Sequence, residues 1–177
     1  MVIRVALPGD AQELALLGER LWRKTYGGLI PACDLESYLA EAFGLERQAA
    51  ELVDPACRTL VIEADGHLLG YAWLRACAPE LGKKALTCSK PLEVARFYVD
   101  SSLHGTGAAQ SLMGAVLAHA ASVGHDLLWL QVWEQNPRAL RFYAKAGFMD
   151  AGETVFLVGS RSYRDRLLVC EVQTPAG

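Results

Sequence analysis

Two glycines at the start of a predicted helix are the first feature of this sequence that could do chemistry. Gly105 and Gly107 follow a run of strand-forming side chains at residues 97–99. Helical spacing begins directly after them, at Ala108, Leu112, Ala115, Val116 and His119. A glycine turn at a helix start brings free backbone N–H groups and the positive end of the helix dipole together, which suits a phosphate. A plain tight turn is the alternative.

A second candidate pair lies further along the chain. Asn136 and Tyr143 are separated by seven positions, and seven steps of about 100° bring two side chains within about 20° on one helix face. Pro137 fits the first turn of that helix, where a missing N–H group costs nothing. One face can therefore present an amide and a phenol to an extended ligand. Asn136 is equally well explained as a helix N-cap. For Tyr143, the alternative is an ordinary core tyrosine.

One carboxylate, Glu93, lies within an apolar run. Strand alternation predicts that Glu93, Ala95, Phe97 and Val99 share a face. A carboxylate that faces a cleft could accept a proton, directly or through water. It could instead hold a cationic ligand or face solvent at the start of the strand. His104 is a second candidate, but a ligand-side or surface role fits its place at the glycine turn better.

These residues are set in an alternation of predicted strands and helices. We expect strands at residues 2–7, 58–64, 67–77, 92–99, 127–133, 152–158 and 164–172. Helices are expected after Asp10, on both sides of Gly44, after Gly107 and from Asn136 to Ala146, and residues 78–91 read as a loop. The order is β-α-α-α-β-β-β-α-β-α-β-β, mostly antiparallel, with one right-handed crossover. The sequence predicts an α+β fold, with residues 1–177 forming a single domain.

Composition argues against several classes of protein. Hydrophobic residues make up 52% of the chain and charged residues 21%, as in folded globular proteins. The net charge of −3 argues against a general affinity for nucleic acid or an anionic membrane. The chain has no apolar run long enough to span a bilayer and no signal-peptide pattern, so we expect a cytoplasmic protein. The five scattered cysteines predict reduced, buried thiols. The spacing of the cysteines and histidines does not match a metal-ligand pattern, so we expect no metal site.

The two short predicted helices on either side of Gly44 carry an acidic outer surface. The acidic residues assigned to it are Asp34, Glu36, Glu41, Glu46, Glu51 and Asp54, against the single cation Arg47. A solvated helix face explains this pattern, and attraction of a cationic ligand is the alternative.

In order and separation, the two motifs resemble the GNAT family of acyl-CoA-dependent N-acyltransferases. That family's phosphate-binding motif, Gln/Arg-x-x-Gly-x-Gly/Ala, corresponds to residues 104–109, with His104 at the first position. Its second motif is a strand, an Asn and a helix ending in Tyr and Gly-Phe. The stretch LQVWEQNPRALRFYAKAGF matches it at Asn136, Ala139, Phe142, Tyr143, Lys145, Gly147 and Phe148. The resemblance implies a GNAT-like fold, a central mixed and mostly antiparallel sheet flanked by helices.

The resemblance also implies acetyl-CoA as co-substrate and a role for each matching residue. Backbone groups of His104, Gly105, Thr106, Gly107, Ala108 and Ala109 would bind the pyrophosphate. Backbone groups of Phe97, Tyr98 and Val99 would bind the pantetheine arm, where a strand bulge lets one N–H polarise the acetyl carbonyl. Tyr143 would protonate the leaving thiolate, Asn136 and Lys145 would contact the cofactor, and Glu93 would be the base.

A narrower resemblance, to bacterial spermidine/spermine N-acetyltransferases, rests on residues 25–52, 92–100, 133–143 and 153–169. It implies acetyl transfer to a primary amine of a small molecule, with a polyamine as one candidate, by direct attack in a ternary complex. The alternatives are a binding module that senses acetyl-CoA or acts through a partner, and transfer to a peptide, protein or aminoglycoside-type amine. A homodimer is compatible with the sequence, which does not determine the oligomeric state.

Overall fold

A sheet of seven strands organises the part of the chain that the computed structural model describes, residues 1–79, 88–159 and 161–173. The strands are β1 (Val2–Val5), β2 (Cys57–Ala64), β3 (His67–Arg75), β4 (Pro91–Val99), β5 (Leu127–Trp133), β6 (Met149–Val158) and β7 (Arg161–Glu171). The helices are α1 (Ala11–Tyr26), α2 (Ala32–Phe43), α3 (Leu45–Val53), α4 (Ala108–Val123) and α5 (Pro137–Lys145). Most of the loop predicted at residues 78–91 lies outside the described residues.

The sheet has the order β1-β2-β3-β4-β5-β7-β6. Its neighbouring strands pair antiparallel except for β4 and β5, which are parallel and connected through α4. The predicted order of elements and the single crossover are therefore confirmed. The mixed, mostly antiparallel sheet flanked by helices is the α+β architecture that the sequence predicts.

Each face of the sheet buries its own apolar core. On one face, Leu112 and Val116 of α4 and Tyr143 of α5 pack against β2, β3, β4, β5 and β7. On the other face, Leu14 and Leu21 of α1 pack against β2 and β3, and α2 packs beside them. The sheet is therefore covered by α4 and α5 on one face and by α1 and α2 on the other.

A bulge in β4 changes which of its side chains share a face. Arg96 lies opposite Trp73 and Val94 opposite Leu74, so Ala95 is the extra residue. The expected common face of Glu93 with Phe97 and Val99 is therefore wrong, because one extra residue reverses the alternation. Phe97 and Val99 pack in the core of the α4–α5 face, whereas Glu93 lies with Arg96 and Tyr98 on the opposite face.

The acidic outer surface of α2 and α3 also needs one correction. Glu51 is 7% exposed and pairs with Arg47 and Arg96, so it points into the protein. Among the other acidic residues of this surface, Asp34 is half-buried and the rest are exposed, as a solvated face requires.

The cysteines are all free, as predicted, but only Cys170 is fully buried, and Cys33 is exposed. Within the described ranges, no group of three or more His, Cys, Asp or Glu side chains could hold a metal ion. No helix in those ranges is long and apolar enough to cross a membrane.

Candidate active site

The glycine turn between β4 and α4 presents free backbone donors. Gly105 and Gly107 have φ angles of 80° and 85°, in the left-handed region that favours glycine. In the described part of the chain, no hydrogen-bond partner is found for the N–H groups of Gly105, Gly107, Ala109 and Gln110. The N–H of Ala108 has only a long bond, 3.3 Å, to the hydroxyl of Thr106. These donors at the positive end of α4 form a suitable seat for a phosphate.

Asp100 fixes the approach to this turn. One of its carboxylate oxygens accepts a hydrogen bond from the N–H of Ser102 at 2.8 Å, and the other pairs with Arg20 of α1. Lys24, one turn further along α1, donates to the hydroxyl of Ser101 at 2.6 Å. The N–H of Ser102, followed by the guanidinium of Arg20, lowers the pKa of Asp100 to about 2. The turn is thus tied to a helix on the opposite face of the sheet.

The strands β4 and β5 part within the sheet. Their parallel register runs from Pro91 opposite Leu127 to Glu93 opposite Trp129 and ends there, although both strands continue. Beyond the bulge, β4 stays in register with β3. The edge of residues 97–99 that faces β5 therefore presents unpaired backbone N–H and C=O groups, which a linear ligand can bind.

Helix α5 follows β5, with Asn136 just before its first turn and Tyr143 in its last turn. The side-chain oxygen of Asn136 accepts a hydrogen bond from the N–H of Ala139 at 3.1 Å, so Asn136 is the N-cap of the helix. Tyr143 is 8% exposed, and its ring centroid lies 6.2 Å from that of Phe97. Burial, with a smaller effect of Tyr26, raises the pKa of the Tyr143 phenol above its usual value. The phenol therefore carries its proton at neutral pH.

A cleft of about 450 Å³ opens on the face covered by α1 and α2. Eight of the side chains that line it are aromatic: Trp22, Tyr26, Tyr38, Trp73, Tyr98, Trp133, Phe156 and Tyr163. Its charged side chains are Glu41, Arg47, Arg75, Glu93, Arg96 and Asp165. The lining includes Val94 and Ala95 of β4 and Gln131 and Trp133 of β5, so the cleft borders the region where these two strands part.

Glu93 lines this cleft in a fixed position. One of its oxygens, Oε2, accepts hydrogen bonds from Arg75 at 2.8 Å and from the thiol of Cys77 at 3.2 Å. A second guanidinium nitrogen of Arg75 lies 2.6 Å from the same oxygen. The cleft-facing carboxylate expected at this position is present, with its charge balanced by Arg75.

Arg96, next to the bulge, is held by a buried ion pair. Its guanidinium donates to the two carboxylate oxygens of Glu51 at 2.5 and 3.1 Å and lies 4.4 Å from the ring centroid of Trp73. Arg96 also donates to the carbonyl of Ala42 at 2.7 Å. These contacts join α2 and α3 to the strand that forms the floor of the cleft.

Two cleft carboxylates have no such partner among the described residues, the exposed Glu41 and the buried Asp165. Asp165 is 7% exposed and lies opposite Trp133 in the register of β5 and β7. Among the described residues, its carboxylate has neither an ion pair nor a side-chain hydrogen bond. Burial, with a smaller effect of Glu134, raises the pKa of Asp165 to about 6. At neutral pH, the cleft therefore contains an ionised and unbalanced carboxylate.

The sequence reasoning missed both Asp165 and Arg96. A signal for each exists, since charged residues within otherwise apolar strands are uncommon and Asp is depleted in strands. The strand pattern could not identify the partner of Arg96, because Glu51 lies 45 positions earlier in the sequence. It also could not show that the charge of Asp165 has no counter-charge nearby in sequence.

Comparison with known proteins assigns this chain to a family. The profile of the Acetyltransferase (GNAT) family matches residues 19–148. This chain belongs to the GNAT family. The predicted resemblance is therefore confirmed at the level of the family, and the chain is an acetyl-CoA-dependent N-acetyltransferase.

Similar proteins and structures agree with the GNAT assignment. An uncharacterized N-acetyltransferase of Mycobacterium tuberculosis is 33% identical over 163 residues, covering 92% of this chain and 98% of that protein. A mycothiol acetyltransferase of Clavibacter sepedonicus is 32% identical over 147 residues, which are 82% of this chain but 42% of that protein. The PaiA N-acetyltransferase of Thermoplasma acidophilum, solved in complex with coenzyme A, superposes with a TM-score of 0.76 at 21% identity, covering 97% of this chain and 99% of that one. At that identity, the structural likeness shows the fold alone.

The predicted site residues of this GNAT chain fall on three elements around the gap. The glycine turn holds residues 104–109, of which His104 is exposed; β4 holds Glu93 and residues 97–99; α5 holds Tyr143 and the exposed Lys145. Glu93 is separated from the others, since it lies on the cleft face of the sheet.

Proposed function

We propose that this GNAT enzyme acetylates a primary amine of a small molecule by direct attack of the amine on acetyl-CoA in a ternary complex. The observation that carries the proposal is the gap between β4 and β5, which lies between the face of the phosphate-binding turn and a cleft that both strands line. Two ligands that enter from opposite faces can meet there without a covalent enzyme intermediate. We also infer that residues 1–177 act as one catalytic domain, because both faces belong to one sheet.

On the α4–α5 face, we assign acetyl-CoA to backbone groups. The unpaired N–H groups of the glycine turn would hold the pyrophosphate, and the free edge of residues 97–99 would bind the pantetheine arm. Acetyl-CoA supplies the acetyl thioester and leaves as a thiolate that needs a proton. Asn136 and Lys145 would contact the cofactor only secondarily, since Asn136 already caps α5 and Lys145 is exposed.

Tyr143 is the proposed acid. Its phenol is buried beside Phe97 on the free edge of β4, and its raised pKa keeps the proton available at neutral pH. A positioned acid of this kind contributes about a hundred-fold to ten-thousand-fold to a rate.

Glu93 is the proposed proton acceptor for the attacking ammonium. Its Oε2 is bound by Arg75 and Cys77, whereas Oε1 has no hydrogen-bond partner among the described residues. That oxygen can take the proton directly or through a water molecule. A polyamine remains one candidate acceptor, supported by the sequence resemblance to spermidine/spermine N-acetyltransferases and by the carboxylates of the cleft.

The substitution Tyr143→Phe tests the proposal. We expect kcat to fall about a hundred-fold or more, because only the proton donor is removed, with the KM for acetyl-CoA nearly unchanged. Tyr71→Phe is a matched control, since Tyr71 is also buried but lies in the α1 core, and its hydroxyl has no hydrogen-bond partner among the described residues. The assay measures thiol release with a panel of amines.

Three results would overturn the proposal in different ways. An unchanged kcat in Tyr143→Phe removes Tyr143 from the acid role. Parallel lines in double-reciprocal plots would show a ping-pong mechanism and exclude direct attack. Tight acetyl-CoA binding without turnover on any amine would favour a sensing module.

A further inference from the structure

We propose that Asp165 and the aromatic rings around it bind a second, protonated nitrogen of the acceptor, so that the preferred acceptor is a diamine or another aminoalkyl cation. The inference rests on the proposed function, because it assigns the far end of the molecule whose near amine is acetylated. It adds a cation subsite to the cleft and names the side chain that selects for it.

The first argument is the charge balance of the cleft. All three cleft guanidiniums already have a carboxylate partner: Arg75 pairs with Glu93, and both Arg47 and Arg96 pair with Glu51. Asp165 has no such partner in the described ranges, although it is 7% exposed. A buried charge is unfavourable unless a counter-charge balances it. A cationic ligand supplies the counter-charge that the protein does not.

The second argument is the chemistry of the surrounding rings. Tyr26 packs edge-on against Trp133, with 6.2 Å between ring centroids, and Trp22 lies 4.7 Å from Tyr26. Trp133 is the register neighbour of Asp165, and Tyr26 lines the same cleft, so the three side chains face one space. Ring faces attract ammonium groups and repel anions. A carboxylate among such rings is a site for an ammonium rather than for a neutral hydroxyl.

The third argument is distance from the gap where transfer would occur. Asp165 is on β7, which is separated from β4 by β5, and strands lie about 4.8 Å apart in a sheet. The carboxylate therefore lies on the order of 10 Å from the bulge at Ala95, more where β4 and β5 part. The ammonium at Asp165 cannot be the nitrogen that attacks at the gap, and a short aliphatic chain would join the two nitrogens.

A matched series of amines tests the subsite. The probes are terminal diamines from ethylenediamine to cadaverine, each compared with the monoamine of the same chain length. In the wild-type enzyme, we expect kcat/KM for the best diamine to exceed that of its monoamine about ten-fold to a hundred-fold, as for a charged hydrogen bond. In Asp165→Asn, the ratio of kcat/KM for a diamine to kcat/KM for its monoamine should fall to about one. Glu171→Gln, an exposed carboxylate on the same strand, should keep the diamine advantage.

The stability of Asp165→Asn separates a binding role from a structural one. Because burial raises the pKa of Asp165, its charged form destabilises the fold at pH 7, and the amide should raise the midpoint of thermal unfolding. A lower midpoint would assign Asp165 a structural role and overturn the inference. A diamine advantage that is absent from the wild type, or that survives in Asp165→Asn, would overturn it while leaving the proposed function intact. The absence of turnover with every amine would overturn both the inference and the proposed function.

Discussion

In the proposed function, the two faces of the sheet bind ligands by different means. On the α4–α5 face, the proposed binding groups are backbone N–H and C=O groups, exposed by the turn at Gly105 and Gly107 and by the parting of β4 from β5. On the cleft face, they are side chains contributed by α1, α2, α3 and five strands. Backbone recognition depends on chain geometry and suits a co-substrate that a whole family shares. Side-chain recognition can change residue by residue, which suits an acceptor that differs between members.

Buried charge follows the same division. The cleft face contains the ion pair of Arg96 with Glu51 and the unbalanced Asp165, whereas the core of the α4–α5 face is formed by apolar side chains and Tyr143. A paired buried charge fixes the architecture, and an unpaired one is available to a ligand. We therefore expect substitution of the paired charge on the cleft face to change the free energy of unfolding, and substitution at the glycine turn to change the KM for acetyl-CoA.

The largest effect is expected from Glu51→Ala on the cleft face. It leaves the guanidinium of Arg96 buried without its counter-charge, so the free energy of unfolding should fall by about 3–5 kcal/mol. Urea denaturation measures the loss, and Glu46→Ala, an exposed glutamate on the same helix, is the control. Equal losses in the two variants would show that the pair does not fix this face.

A smaller effect is expected at Asp100, where the two faces are joined. Its pKa is lowered, so its contribution is complete above its ordinary pKa and is lost as the pH falls through about 2. Asp100→Asn should therefore reduce the free energy of unfolding at pH 7 by about 2 kcal/mol. The difference between variant and wild type should shrink from pH 4 downward in urea denaturation series.

Arg20→Ala should reduce the stability less than Asp100→Asn does. It removes only the second contribution to the lowered pKa and leaves the bond from the N–H of Ser102. A larger loss in Arg20→Ala would show that the link to α1, rather than the local turn, holds Asp100.

The smallest effect is expected from Gly107→Ala on the α4–α5 face. An added Cβ meets nothing within 4 Å, but the φ angle of 85° is strained for alanine by about 1–2 kcal/mol. The KM for acetyl-CoA should rise, because the N–H groups shift, while the KM for the amine stays unchanged. Gly114→Ala, an exposed position within the same helix, should leave both constants unchanged and stabilise the protein slightly. A rise in the amine KM alone in Gly107→Ala would contradict the division between the faces.

The sequence predicted the elements of this fold because their signals are local. Helix spacing after Gly107, the apolar run at residues 127–133 and the Asp65-Gly66 turn between β2 and β3 each lie within a few residues. The common face of Glu93 with Phe97 and Val99 was predicted wrongly because a bulge inserts one residue without a composition signal. The burial of Glu51 was missed because its partner Arg96 is distant in sequence and helix periodicity alone does not show a buried charge pair.

The sequence alone therefore predicted the proposed cofactor side. Its groups belong to the backbone, and glycines, a strand end and a helix start fix backbone geometry over a short stretch of chain. Only the tertiary structure decided the acceptor side. The cleft of Asp165, Tyr26 and Trp133 exists because a helix near the start of the chain packs against strands near its end. No local sequence pattern predicts this packing, since contacts between distant segments depend on how the whole sheet is ordered.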